Sequence, residues 1–259
     1  MEDIIIELNQ VYKSFGSKDV LKGINLSIAK GQTLVVIGRS GIGKSVMLKH
    51  IIGLMEPDSG SVKVFGRDLS SLSHREMNEL MLSMGMVFQG GALFDSLTVS
   101  ENVGFVLREY YGLSNAEIDK RIAESLDLVG LDNGVWDLLP SSISGGMAKR
   151  VAIARAICHR PKVLLYDEPT TGLDPITADI IDRLIMRMHD ELGVTSVVVS
   201  HDMTSAFKIA SRIVMLHNGN FVIDAEPEEV KNSQNPVVRQ FITGSAYGPM
   251  TGAGRIKGG

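Results

Sequence analysis

The 259-residue sequence has one cysteine, Cys158, so no disulfide can form within the chain and a reducing compartment is expected. Long apolar runs are missing too. "TLVVIG", "VLLY" and "VTSVVVS" have the length of strands, far short of the roughly eighteen residues of a membrane-crossing helix. There is no excess of positive charge: 26 Lys+Arg against 30 Asp+Glu give a formal charge of -4 and a pI near 5.9, which argues against a nucleic-acid partner. The opening "MEDIIIELNQ" lacks the basic start and extended apolar stretch of a secretion signal. These absences lead us to expect a soluble cytoplasmic chain that acts at a membrane only through a partner.

What is present is enough apolar sequence, 44%, for a sizeable core. Residues 4–8 and 24–28 read as strands, and "QTLVVIG" reads as a fully buried strand ended by glycine. "KSVMLKHIIGLM" then carries apolar residues at helical spacing. Between 98 and 131, "ENVGFVLREYYGL" and "NAEIDKRIAESLDLVGL" are both helical in pattern, and they separate the first strand-rich part from a second, "KVLLYDEP" to "RIVMLHNGNFVIDA". An α/β core with a helical insertion follows. Residues 244–259 hold six of the 27 glycines and read as a mobile tail.

Three segments carry chemistry. In "GRSGIGKS", Gly38, Gly41 and Gly43 let the backbone curl so that amides of Arg39, Ser40, Ile42, Lys44, Ser45 and Val46 can face phosphate oxygens at a helix N-terminus. Lys44 has the reach for β- and γ-phosphates, and the Ser45 hydroxyl suits Mg²⁺. "KVLLYDEP" ends a buried strand in Asp167, placed to hold Mg²⁺, and Glu168, placed to polarise an attacking water. In "ISGGMAKRVAIARAI", Ser144 is a natural N-cap, and Met147, Val151, Ala154 and Cys158 form an apolar stripe that Lys149 and Arg150 fall off. Gly145 and Gly146 in its first turn together forgo about 2 kcal/mol of helix propensity, which bare backbone facing a phosphate would justify.

The order of these segments resembles the nucleotide-binding subunits of ABC transporters. Phe15 in "YKSFG" resembles the aromatic that stacks on adenine, with Tyr12 as a competitor. "GRSGIGKS" resembles the Walker A loop, Gln89 in "VFQGG" the Q-loop, "SGGM" the signature, "LLYDE" Walker B, Asp174 in "TGLD" the D-loop and His201 the switch histidine. The resemblance implies a RecA-like P-loop NTPase core with an antiparallel β subdomain and an inserted α-helical signature subdomain, the ABC ATPase fold. That domain would span 1–243, with the helical insertion at about 95–160, ahead of the 244–259 tail. It also implies ATP and Mg²⁺, the metal meeting Ser45, Gln89 and Asp167, and a head-to-tail homodimer in which one subunit's signature covers the other's ATP. Met147 stands where the family usually has glutamine.

"FQGGALFDSLTVSENVGFVLRE", "SGGMAKR" and "NPVVRQFITGSAYGP" further resemble the ATPases of Mla/Mce-type lipid transporters. This likeness implies an integral membrane permease, an Mce-domain lipid-binding protein, often a small STAS-domain regulator, and a place at the cytoplasmic face of the inner (plasma) membrane. Importers of polar nutrients and lipoprotein-release systems share every core motif and differ only in the coupling segments. ABC ATPases acting on DNA or ribosomes carry a long coiled coil or two cassettes, which this sequence lacks. A non-hydrolysing scaffold would be expected to lose Glu168 or His201, and both are present.

Overall fold

The structure, a computed structural model, describes residues 3–251. In chain order the strands are β1 Ile4–Phe15, β2 Lys18–Ala29, β3 Thr33–Ile37, β4 Ser59–Val64, β5 Arg67–Asp68, β6 Met84–Val87, β7 Val163–Asp167, β8 Thr195–Ser200, β9 Arg212–His217 and β10 Asn220–Ala225. The helices are α1 Lys44–Ile51, α2 His74–Met81, α3 Val99–Tyr110, α4 Asn115–Leu128, α5 Gly145–Ile157, α6 Pro175–Leu192, α7 Met203–Ile209, α8 Pro227–Lys231 and α9 Pro236–Ile242. They fall into two compact units, one of residues 1–71 with 199–259 and one of residues 72–198.

The first unit contains an antiparallel sheet in the order β2-β1-β4-β5. The hairpin β1–β2 runs well beyond the expected strand segments because its outer face is polar, which an apolar-run reading passes over. A bulge between Leu8 and Val11, with Gln10 at φ 48°, resets the alternation and keeps Leu8 and Val11 both buried. In the same unit β9 lies between β10 and β3. β3 is buried at all five positions and parallel to β9, Leu34 opposite Arg212 through Ile37 opposite Met215. α1 ends at Ile51, short of the expected Met55, because Gly53 turns the chain at φ 76°.

In the second unit β6 runs parallel to β7, Met84 opposite Val163 through Val87 opposite Tyr166. Each of α2, α3 and α4 opens with a capping box: Ser73 with Glu76, Thr98 with Glu101, Ser114 with Glu117. α3, α4 and α5 pack on one another, burying Val103, Leu107, Ile122, Leu126 and Val151. Among the described residues no helix is long and apolar enough to cross a membrane.

Residues 244–251, expected to be mobile, are held by hydrogen bonds. Gln240, 6% exposed, donates to Ser245 O and to Thr251 Oγ1, both at 3.2 Å, and accepts from Met250 N at 2.7 Å. The rest of the glycine-rich segment, 252–259, lies outside the described residues.

Candidate nucleotide site

β3 delivers the chain to Gly38, from which Gly38, Gly41 and Gly43 turn at φ 146°, 75° and 113°. Bare backbone is obligatory at Gly38: a β-carbon there would stand 2.5 Å from both Leu216 O and Ile42 Cδ1. Lys44, 4% exposed, folds beneath the loop and donates to Gly38 O at 2.8 Å and Arg39 O at 3.0 Å. Arg39, Ser40 and Gly41 are exposed, while Ile42, Ser45 and Val46 are half-buried. The N-cap of α1 is Gly43, and no side chain caps it. A preformed ring of amides, the positive end of a helix and a tethered ammonium make a cradle for a polyphosphate anion.

In the same unit Phe15 and Tyr12, the two stacking candidates, differ in their freedom. Tyr12, 43% exposed, lays its ring across Gly23, where a β-carbon would meet its hydroxyl at 2.5 Å, so the ring is taken up on the face of the hairpin. Phe15, 47% exposed at the hairpin turn, presents its ring outward with the Lys13 ammonium 5.8 Å from its centroid. Lys13 is fixed in turn by Asp58 Oδ1 at 2.7 Å and Glu56 O at 3.0 Å. His201 is exposed just before α7, whose N-cap is Asp202.

The second unit holds Gln89, the signature, Asp167, Glu168 and Asp174. β7 ends with Asp167, 9% exposed, and Glu168 follows at φ 49°, a left-handed conformation that is strained for a glutamate. Two side chains converge on Glu168 Oε2: Gln89 Nε2 donates at 3.3 Å and Thr171 Oγ1 at 3.0 Å. Lys149, which the sequence places off the apolar stripe, is 7% exposed, and its ammonium donates to Gln89 O. Burial pushes its pKa down, while Glu168 and Asp167 draw it back up. Its helical position gave no sign of this.

At the start of α5 the Ser144 hydroxyl accepts from Met147 N at 3.3 Å, so the residue that departs from the family pattern serves the cap through its backbone. The two glycines prove different. A β-carbon at Gly145 would meet nothing within 4 Å, whereas one at Gly146 would lie 2.7 Å from Thr177 Cγ2. Gly145 is exposed bare backbone, while Gly146 is in addition held to glycine by its packing against Thr177. Asp174 is the N-cap of α6, accepting from Ile176 N and Thr177 N at 3.0 Å and from Thr177 Oγ1 at 2.5 Å. These bonds, the Thr177 hydroxyl foremost, hold its carboxyl below the usual carboxylate range.

The Ser45 hydroxyl in the first unit, and the Gln89 amide and Asp167 carboxylate in the second, are each hard oxygen donors of the kind Mg²⁺ takes. Among the described residues no group of three or more His, Cys, Asp or Glu is placed to hold a metal ion.

A protein-family profile described as "ABC transporter" matches residues 21–171. The chain is 43% identical over 265 residues, 96% of it and 76% of the relative, to "Protein TRIGALACTOSYLDIACYLGLYCEROL 3, chloroplastic" of Arabidopsis thaliana. It is 38% identical over 250 residues, 96% of it and 94% of the relative, to "Intermembrane phospholipid transport system ATP-binding protein MlaF" of Haemophilus influenzae. A solved dimeric structure of the ATP-binding cassette MJ0796 in a post-hydrolysis state with ADP and Pi superposes with TM-score 0.79 at 34% identity, covering 86% of this chain and 99% of the other. Cradle, carboxylate pair and signature helix agree with these likenesses, and the chain belongs to the ABC transporter family as an ATP-binding, ATP-hydrolysing subunit.

Proposed function

We propose that this subunit powers a transporter that moves phospholipid, or a related lipid or sterol, across or between envelope membranes. The observation that carries this reading is similarity over nearly the whole of both chains to a phospholipid-transport ATPase. The subunit would work as a homodimer on an integral membrane permease at the cytoplasmic face of the inner membrane. An Mce-domain lipid-binding protein and a STAS-domain regulator would complete the complex.

In this reading the amides of 38–46 and Lys44 hold the phosphates, and the ring of Phe15 covers adenine. Ser45, Asp167 and Gln89 would hold Mg²⁺, which supplies charge neutralisation between the phosphates. Glu168 orients the attacking water and accepts its proton, with Gln89 and Thr171 steadying the carboxylate at 3.3 Å and 3.0 Å. His201 contacts the γ-phosphate. Ser144 and Gly145 of the partner subunit would close over the same nucleotide, and Asp174 shapes the D-loop beside it.

Purification of the chain from detergent-solubilised membranes tests the proposal. A permease and an Mce-domain protein should accompany it, and phospholipid vesicles should stimulate ATP hydrolysis by the complex. Co-purification with a periplasmic solute-binding protein for a polar nutrient instead would overturn the lipid reading.

A further inference from the structure

The segment 89–98 has neither helix nor strand, yet its backbone is fastened along its length. Near its start Lys149 donates to Gln89 O, and Arg155 donates through Nη2 to Gly91 O and through Nη1 to Ala92 O, both at 2.7 Å. Farther on, Asn102 of α3, fully buried, donates to Phe94 O, Leu97 O and Thr98 O and accepts from Phe94 N at 2.8 Å. Three of the segment's first four carbonyls, those of Gln89, Gly91 and Ala92, are therefore gripped by two cations of α5, the helix whose N-terminus carries Ser144 and Gly145.

Lys149 is the unusual member of this clamp. Burying an ammonium against a neutral carbonyl is unfavourable unless negative charge lies close, and Glu168 and Asp167 provide it. A surface lysine or a buried glutamine would have tied down the loop without that desolvation. The position gains something only if a cation beside the two carboxylates is itself useful.

We infer that Lys149 is a positioning residue for hydrolysis: its ammonium fixes the main chain of Gln89, whose amide donates to Glu168 Oε2 at 3.3 Å, and so sets where the glutamine and the carboxylate meet. The assignment rests on Glu168 as the group that activates water. It makes the signature helix, through a side chain that itself meets no phosphate, the frame on which the water-activating pair is held.

Steady-state kinetics of Lys149→Met, Lys149→Arg and Glu168→Gln in the assembled complex test this. Lys149→Met should lower kcat about tenfold while KM for ATP stays within about twofold, and Lys149→Arg, which keeps charge and donor, should recover most of the loss. A merely structural pin would raise KM and lower Tm together with kcat, and either that pattern, an unchanged kcat, or failure of arginine to rescue overturns the proposal. If Lys149→Met does not fold, Lys149→Ala, which removes both the charge and the donor, carries the same comparison with the arginine variant. Near-normal turnover in Glu168→Gln would overturn the reading on which Lys149 depends. Lost turnover there with normal turnover in Lys149→Met would overturn the part given to Lys149 alone.

Discussion

The α-carbon of Gly146 stands so close to Thr177 that a β-carbon would lie 2.7 Å from Thr177 Cγ2, while the Thr177 hydroxyl donates to Asp174 at 2.5 Å. The methyl cannot swing away without giving up that bond. Gly146→Ala should therefore destabilise the isolated subunit by roughly 1–2 kcal/mol. Gly145→Ala has open space and should leave stability unchanged or raise it by a few tenths of a kcal/mol. Its ATPase activity should nonetheless fall sharply if a partner's nucleotide lies against that face. Thermal melts and turnover of the two variants check this, and a fully active Gly145→Ala would remove Gly145 from the ligand face.

Glu168→Gln keeps the phosphate cradle and loses the proton acceptor, so it should bind ATP, hydrolyse it very slowly, and run as an ATP-dependent dimer in size-exclusion chromatography. Lys44→Ala should behave differently. It removes both the phosphate contact and the two bonds that brace the loop at Gly38 and Arg39, so ATP affinity should drop at least about tenfold. Unchanged affinity in an equilibrium binding assay would count against the cradle.

Phe94 is 42% exposed and rests one face on Phe105, ring centroids 4.6 Å apart. It is neither core nor free, and its backbone is pinned by Asn102. Phe94→Asp should leave a folded, ATP-binding subunit, because half the ring is already in water and the lost ring contact is worth roughly 1 kcal/mol. The same variant should no longer co-purify with its permease. A subunit that fails to fold would show the residue to be core.

His50 on α1 is fully buried, and its pKa is lowered to about 4 by burial first and by the Lys13 ammonium second, against a partial pull from the Val46 backbone and, less, from Asp58. The folded state keeps the neutral ring, so the unfolded chain takes up the proton first as pH falls below 6.5. The contribution of His50 is fully present above that pH and declines until about pH 4, where the folded ring protonates as well. Denaturant unfolding between these limits should lose roughly 3 kcal/mol that His50→Leu does not lose. Parallel pH profiles for the two proteins would place the sensitivity elsewhere.

The phosphate loop was legible because each requirement has its own residue type: glycine where φ must be positive, lysine where a phosphate must be reached, and a β-branched strand before them. α3 and α4 announced themselves by apolar spacing, whereas α2 did not, and only its Ser73-x-x-Glu76 cap marks it in the sequence. The far halves of β1 and β2 were hidden because an exposed hairpin face looks like loop composition. Lys149 was hidden for another reason. Its burial depends on Gln89, sixty residues away, and on carboxylates in β7, and no local period records such a meeting.

Gly38 has a consequence for biosynthesis. Its α-carbon lies against Leu216 O, and β3 pairs with β9, so the loop's final curvature depends on residues made almost two hundred positions later. The unit of 72–198 is continuous in sequence and leaves the ribosome whole, while the unit that holds the phosphate loop must wait for 199 onward. A nascent chain would thus acquire its signature helix before it can grip a nucleotide, and ATP cannot act as a folding ligand until translation is nearly complete.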